Sequence, residues 1–191
     1  QTLGESYTNS PKVYIFNLRN GSLVATEDVN VPGASFAIGD IMPVDIDNDY
    51  NDDVAYFGLY GKKQSGSIFG ALMRINFRAQ NGYLNPNNWT VSQAFDFGNS
   101  PAPVFGAPSY TLDEYNNFWV FFGTGKYLSL ADKTINYTNY LIGFKHGTKY
   151  DAWQSASTVY LSDLLNRTGW TTPIQIIETT QMCVCDKTGC S

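Results

Sequence analysis

Histidine, charge and long apolar runs are what this sequence has least of. One histidine, His146, stands among 191 residues, and the only cysteines, Cys183, Cys185 and Cys190, fall in the last nine positions. Structural zinc centres need four ligands, and a Cys-x-Cys followed by a third Cys supplies three, so zinc is a poor fit. In an oxidising compartment a Cys185–Cys190 or Cys183–Cys190 disulfide would close the 179–191 tail, leaving an odd thiol unpaired or joined to another chain. Charged residues make up only 15% of the chain and the net charge is −5. With no Lys/Arg cluster, the electrostatic footprint for nucleic acid is missing, and an anionic membrane surface is equally unattractive. No stretch approaches the roughly 20 apolar residues of a membrane span. Nor does Gln1 open a basic start and apolar core of the signal-peptide kind, so the chain reads as mature or as a fragment.

Catalytic constellations are also scarce. No paired histidines, nucleophile elbow or acid/base dyad stands out, and the chain is expected not to be an enzyme. His146, between Lys145 and Gly147, reads as an exposed turn residue. Gly123-Thr-Gly-Lys126 lacks the Gly-x4-Gly-Lys-Ser/Thr spacing of a phosphate loop. It reads instead as a tight turn between strands, with Lys126 on its solvated edge.

What is abundant is aromatic and turn-forming: 15% aromatics, with 13 Tyr, 12 Phe and 17 Gly. Such a composition favours strands and turns, and predicts an all-β protein. Lys12 to Leu18 reads as a strand, Arg19-Asn-Gly-Ser22 as a hairpin turn, and Leu23 to Val29 as its partner. Four further strands (Ser35 to Asp40, Asp53 to Leu59, Ala71 to Phe77 and Trp89 to Phe97) read as a meander. Pro103 to Leu112, Phe118 to Gly123 and Asn139 to Lys145 repeat the plan, with Val54-Ala-Tyr-Phe-Gly58 aligning with Trp119-Val-Phe-Phe-Gly123. Thr158 to Leu165 suggests a strand entering a helical turn capped by Ser162, and Thr172 to Ile177 another strand. Repeated antiparallel meanders of this kind predict β-propeller blades. Residues 1–191 are expected to form a single propeller-like domain or propeller fragment of about two and a half to three blades. As a propeller needs at least four blades, it is expected to be part of a larger propeller or to be completed by another polypeptide.

The densest chemical signal is Asp45-Ile-Asp-Asn-Asp-Tyr-Asn-Asp-Asp53, five carboxylates in nine positions. A hard cation bound by oxygens needs several carboxylates converging on one point, and alternate residues of a tight turn supply them. The ligand set read from this spacing is Asp45, Asp47, Asp49, the backbone carbonyl of Asn51, and Asp53, with Ca2+ as the ion and Asp52 pointing outward. Tyr50 stands where such loops usually place glycine, so it must take a left-handed or bridge conformation. Tyr56 stands where an EF-hand needs its bidentate Glu, which disfavours that motif. The bland alternative is an acidic solvated turn.

Three pieces together carry a family resemblance. The acidic loop leading into Asp53-Val-Ala-Tyr56, then Gly70-Ala-Leu-Met-Arg-Ile75, and then Phe121-Phe-Gly-Thr-Gly-Lys-Tyr-Leu128 resemble the C-terminal β-propeller of the PilY-type pilus-tip proteins of type IV pili. Met73 stands where that family usually has Trp. Lys62 to Phe69 looks like an insertion between strands. The resemblance implies an extracellular, pilus-associated protein of the bacterial surface that acts in the balance of pilus assembly and retraction and in adhesion. Its implied partners are pilus subunits and a host or abiotic surface, and its implied calcium ligands are Asp45, Asp47, Asp49, Asn51 and Asp53. The alternative is a calcium-stabilised adhesin or carbohydrate-binding propeller unrelated to pili, in which Trp89, Trp119, Trp153 or Trp170 would stack on sugars. Exposed aromatics beside the acidic loop would favour that second reading.

Overall fold

The computed structural model describes residues 10–79, 81–134, 137–152, 157–166 and 183–185. In chain order the strands are β1 (Lys12–Phe16), β2 (Leu23–Asp28), β3 (Ala34–Val44), β4 (Val54–Lys63), β5 (Ile68–Asn76), β6 (Arg78–Ala79) and β7 (Gly82–Tyr83). They continue as β8 (Thr90–Asp96), β9 (Ser109–Leu112), β10 (Asn117–Gly123), β11 (Leu141–Thr148), β12 (Val159–Tyr160), β13 (Leu165–Asn166) and β14 (Cys183–Cys185). Two five-stranded sheets, β12-β8-β5-β4-β3 and β13-β14-β11-β10-β9, dominate the fold, with β1–β2 and β6–β7 as separate ribbons. Apart from the β12–β8 and β13–β14 contacts, the named strand pairs are antiparallel. The fold is all-β, as the composition predicted. The aligned segments Val54–Gly58 and Trp119–Gly123 fall on β4 and β10, the second strands of the two meanders β3-β4-β5-β8 and β9-β10-β11-β14.

The first sheet is apolar on both faces because it is covered on both. Successive residues of a strand point to opposite faces. On β4, Val54 and Tyr56 enter one core while Phe57 and Leu59 enter another. The first core joins this sheet to Phe118, Val120, Phe122, Ile142 and Phe144 of the second. The other core is closed by Val13 and Val29 of the β1–β2 region, with Phe36, Phe69 and Ile75. The β1–β2 turn takes positive φ only at Gly21 (+72°), and Gly21 N–H donates to the Asn17 carbonyl at 2.8 Å, so it is a longer loop than a two-residue Asn-Gly turn. The Lys62–Phe69 insertion is the tip of the β4–β5 hairpin, closed by Lys63 and Ser67.

Three glycines on neighbouring strands let the connection between the two sheets lie directly on the first. A Cβ at Gly39 would stand 2.4 Å from the Phe105 carbonyl oxygen, at Gly58 2.3 Å from that of Val104, and at Gly70 1.9 Å from that of Ala102. The strap is pinned there: Val104 N–H donates to the Leu59 carbonyl (2.9 Å), Asp40 N–H to that of Phe105 (3.1 Å) and Gly125 N–H to that of Pro103 (2.7 Å). Interior glycines in strands mark this kind of close backbone approach.

Polar groups also lie between the sheets. His146 is 2% exposed on β11, with Nδ1 2.6 Å from the Tyr56 hydroxyl. It is therefore not the exposed turn residue expected from its Lys and Gly neighbours, because strand alternation aims it into the core. Arg74, opposite Tyr56 in the β4–β5 register, donates from Nε to Asn76 Oδ1 (2.5 Å) and from Nη2 to the Ala152 carbonyl (2.8 Å). Lys126 differs from expectation as well. Its side chain is 4% exposed and pairs with Asp132 at 2.5 Å, and Asp132 also accepts the Leu128 and Ser129 N–H groups. A carboxylate fixed by two backbone donors holds the lysine inward rather than at a solvated edge. In the short turn Leu161–Asp163, Ser162 lies inside the turn and the Asp163 carboxylate accepts the Tyr160 N–H at 2.9 Å.

Among the described residues no helix is long and apolar enough to cross a membrane. The Thr172–Ile177 strand, Trp153, Trp170 and Cys190, with both proposed cysteine pairings, lie outside the described residues.

Candidate metal centre

The acidic loop closes the β3–β4 hairpin. Val44 and Val54 are register partners, and Asp53 N–H donates to the Val44 carbonyl at 2.8 Å, so both loop ends are fixed by the ladder. The Asp45 carboxylate then gathers the chain around itself, accepting N–H groups of Asn48 (2.7 Å), Asp49 (3.2 Å) and Tyr50 (2.8 Å). That curl needs left-handed backbone at Asn48 (φ +63°) and Tyr50 (φ +72°), as the missing glycine at position 50 required. Tyr50 is 99% exposed. With no packing to lose and a strained φ to relieve, Tyr50→Gly is expected to stabilise the protein by about 1 kcal/mol. Urea unfolding midpoints would check this, and a less stable variant would mean the tyrosine ring has a partner.

Carboxylate oxygens of Asp45, Asp47 and Asp49 lie within 4.8 Å of one another. A second convergence adjoins it. The Tyr83 hydroxyl is 2.8 Å from Asp49 Oδ1, 3.3 Å from the Asn51 carbonyl and 3.3 Å from Asp53 Oδ1. Asp53 itself is fully buried, with Oδ2 accepting the Ile46 N–H at 2.8 Å. Between the two clusters stands Arg78, whose Nη1 is 2.5 Å from Asp47 Oδ2 and 2.9 Å from Asp53 Oδ1. All five residues read as ligands are thus brought together, as two groups that share Asp49. Asp52 is exposed.

The electrostatics follow the contacts. The hydrogen bond from Tyr83 holds the Asp49 carboxyl below its usual range, helped by Asn51 and Arg78. Although the residue is exposed, partial desolvation of its carboxyl, then the charges of Asp45 and Asp53, pushes Asp52 up. Arg78 is held firmly protonated by Asp47 and Asp53, and burial followed by Asp49 pushes the Tyr83 phenol up. The donor set suits a hard cation: every candidate ligand atom is an oxygen, and Asp47 Oδ1 is buried without a hydrogen bond among the described residues. Such an oxygen is a ligand atom still to be satisfied.

Sequence reasoning missed Arg78 and Tyr83. Arg78 is the only Lys or Arg between Arg74 and Lys126, and a lone cation in a polar loop was the signal available. Nothing in the local pattern said it would meet a loop about thirty residues earlier.

Packed antiparallel blades with an oxygen-rich loop at a strand junction place the chain among propeller-type β proteins. No protein-family model and no curated protein matches the chain. The crystal structure of the Pseudomonas aeruginosa PilY1 C-terminal domain superposes with a TM-score of 0.71 at 17% sequence identity, over 94% of this chain and 45% of that one. The chain therefore spans less than half the length of that domain, and at this identity the likeness is one of fold.

Proposed function

We propose that this chain is a calcium-binding propeller segment of a type IV pilus-associated protein at the bacterial surface, acting in the balance of pilus assembly and retraction and in adhesion. The observation that carries the metal reading is the buried, unsatisfied Asp47 oxygen inside the triad of Asp45, Asp47 and Asp49. The pilus reading draws on the motifs around Asp53, Gly70 and Phe121 and on the shared fold with the PilY1 domain. Pilus subunits and a host or abiotic surface are the partners it implies, with another polypeptide or further blades completing the ring. The reading carries no catalysis, and the sole histidine is spent inside the core. When bound, calcium would supply the positive charge that the carboxylates lack. Asp45 would both shape the loop and offer an oxygen, and Asp47, Asp49, Asp53 and the Asn51 carbonyl would hold the ion with it.

Calorimetric titration with calcium chloride tests this. One saturable site is expected, weakened at least tenfold in Asp47→Asn, which keeps the side-chain shape. Asp45→Ala is a poorer probe, because it also strips three backbone N–H groups of their acceptor. Melting should rise with calcium, by about 1.4 kcal/mol of stability for each tenfold excess over Kd. A flat titration of a folded chain would return the loop to an acidic solvated turn.

A carbohydrate-binding reading is favoured by one feature. A hollow of about 490 Å³ beside the loop is lined by Tyr50, Phe77, Tyr83 and Trp89, with Asn51 and Asp52 at its edge. Aromatic faces with polar groups at the rim can stack on sugar rings. Phe77 and Trp89, however, pack edge to face at 4.8 Å and join the second core.

A further inference from the structure

We propose that Arg78 and Tyr83, paired across the open end of the β6–β7 ribbon, stand in for the cation, so that calcium binding and docking of this ribbon exclude one another. The proposal rests on the calcium reading of the loop and assigns to this pair the control of its affinity.

A tyrosine hydroxyl has one proton, yet Tyr83 faces three acceptors: Asp49 Oδ1, the Asn51 carbonyl and Asp53 Oδ1. The proton serves the shortest contact, to Asp49 at 2.8 Å. The other two, at 3.3 Å, are then oxygen facing oxygen with no hydrogen between them. Three of the five residues read as ligands thus converge on a point that holds a hydroxyl and calls for positive charge. Arg78 supplies part of that charge at the neighbouring position, where Nη1 bridges Asp47 Oδ2 and Asp53 Oδ1.

Calcium sits 2.3–2.6 Å from each ligand oxygen. An ion could take Asp47 through its unsatisfied Oδ1, but at Asp49 and Asp53 it would need the Oδ1 atoms that Tyr83 and Arg78 now hold. Two cations sharing those oxygens would repel at short range. The ribbon is also free to yield. Among the described residues β6 and β7 pair only with each other, through Arg78↔Tyr83 and Ala79↔Gly82, and form a sheet separate from the blade ladder. The end that carries Arg78 and Tyr83 is tied to the blade by Phe77 N–H donating to the Asp53 carbonyl at 2.9 Å, so displacing the pair acts on the ribbon at its backbone tie to the loop. The guanidinium lies 5.3 Å from the Tyr83 ring centroid, so the two side chains can leave as a unit. An internal cation of this kind lowers calcium affinity, since the ion must displace it.

The test compares calcium titrations of the whole chain, Arg78→Met and Tyr83→Phe, with amide hydrogen exchange of residues 77–84 as the second readout. Arg78→Met keeps an apolar stem and removes the charge. Tyr83→Phe keeps the ion pairs of Arg78 and removes only the hydroxyl, so it reports even where Arg78→Met fails to fold. The expected result is calcium affinity at least tenfold higher in Arg78→Met and at least threefold higher in Tyr83→Phe. In the unsubstituted chain, exchange at 77–84 should quicken on adding calcium. Unchanged or weaker binding in both variants, with normal binding by the unsubstituted chain, overturns the exchange and leaves the calcium reading standing. No binding by any of the three overturns both.

Discussion

Gly70→Ala is expected to cost at least about 3 kcal/mol of stability, the upper range for overpacking a fixed interior. A methyl there would lie 1.9 Å from the Ala102 carbonyl oxygen, a distance no packing arrangement tolerates. A side chain could swing aside, but the obstacle is backbone. That backbone is held by hydrogen bonds from Val104, Asp40 and Gly125 along the strap. Gly58→Ala should behave alike, with Val104 O at 2.3 Å. The control is Gly106→Ala, which meets no atom within 4 Å and has ordinary φ. It should change stability by no more than about 0.5–1 kcal/mol, in the stabilising direction. Urea unfolding midpoints at constant m would measure all three. A Gly70→Ala protein within about 1 kcal/mol of the parent would mean that the strap does not rest on the blade.

The second large effect is pH-dependent. Burial, with Arg74 nearby, pushes the His146 pKa down to about 3 from an ordinary 6.5. The folded state therefore keeps the ring neutral while the unfolded state binds a proton below about pH 6.5. Stability from this group is fully present above pH 6.5 and is lost as pH falls toward 3, at about 1.4 kcal/mol per unit. Tyr56, whose phenol is raised by burial to about 12, stays protonated throughout, with its hydroxyl 2.6 Å from Nδ1. Nε2, on the other side of the ring, is buried without a partner among the described residues. The pair Tyr56→Phe with His146→Phe removes the proton site and both polar partners together. Its stability should fall more gently than the parent's between pH 6 and 4, the difference widening by up to about 1.4 kcal/mol per unit. Parallel curves would place the ring in contact with water.

Much of the fold was legible because its signals are local. Alternation and aromatic content marked β1, β2, β4, β5, β8 and β10 within a few residues, and the repeat of Val54–Gly58 at Trp119–Gly123 matched equivalent strands of the two meanders. The strain at Tyr50 could be read from one missing glycine, since a tight nine-residue loop needs left-handed backbone there whatever surrounds it. Less local features were misread. His146 and Lys126 sit beside glycines, which suggests turns and solvent. Yet one is aimed inward by strand phase and the other is held by Asp132, whose carboxylate is fixed by the backbone of Leu128 and Ser129.

By itself, the sequence determined an all-β chain of repeated meanders and an oxygen-rich loop between two of its strands, because hydrophobic period, turn residues and charge density act over a few positions. Only the tertiary structure decided what meets what. Gly39, Gly58 and Gly70 become a track because a strap from the next sheet crosses them. Tyr56 and His146, ninety residues apart, become a pair because two sheets share one core. Arg78 and Tyr83 become counterparts of the acidic loop because a short ribbon folds back over it. Long-range approach is fixed by how faces pack, and no local pattern encodes the partner that packing will bring.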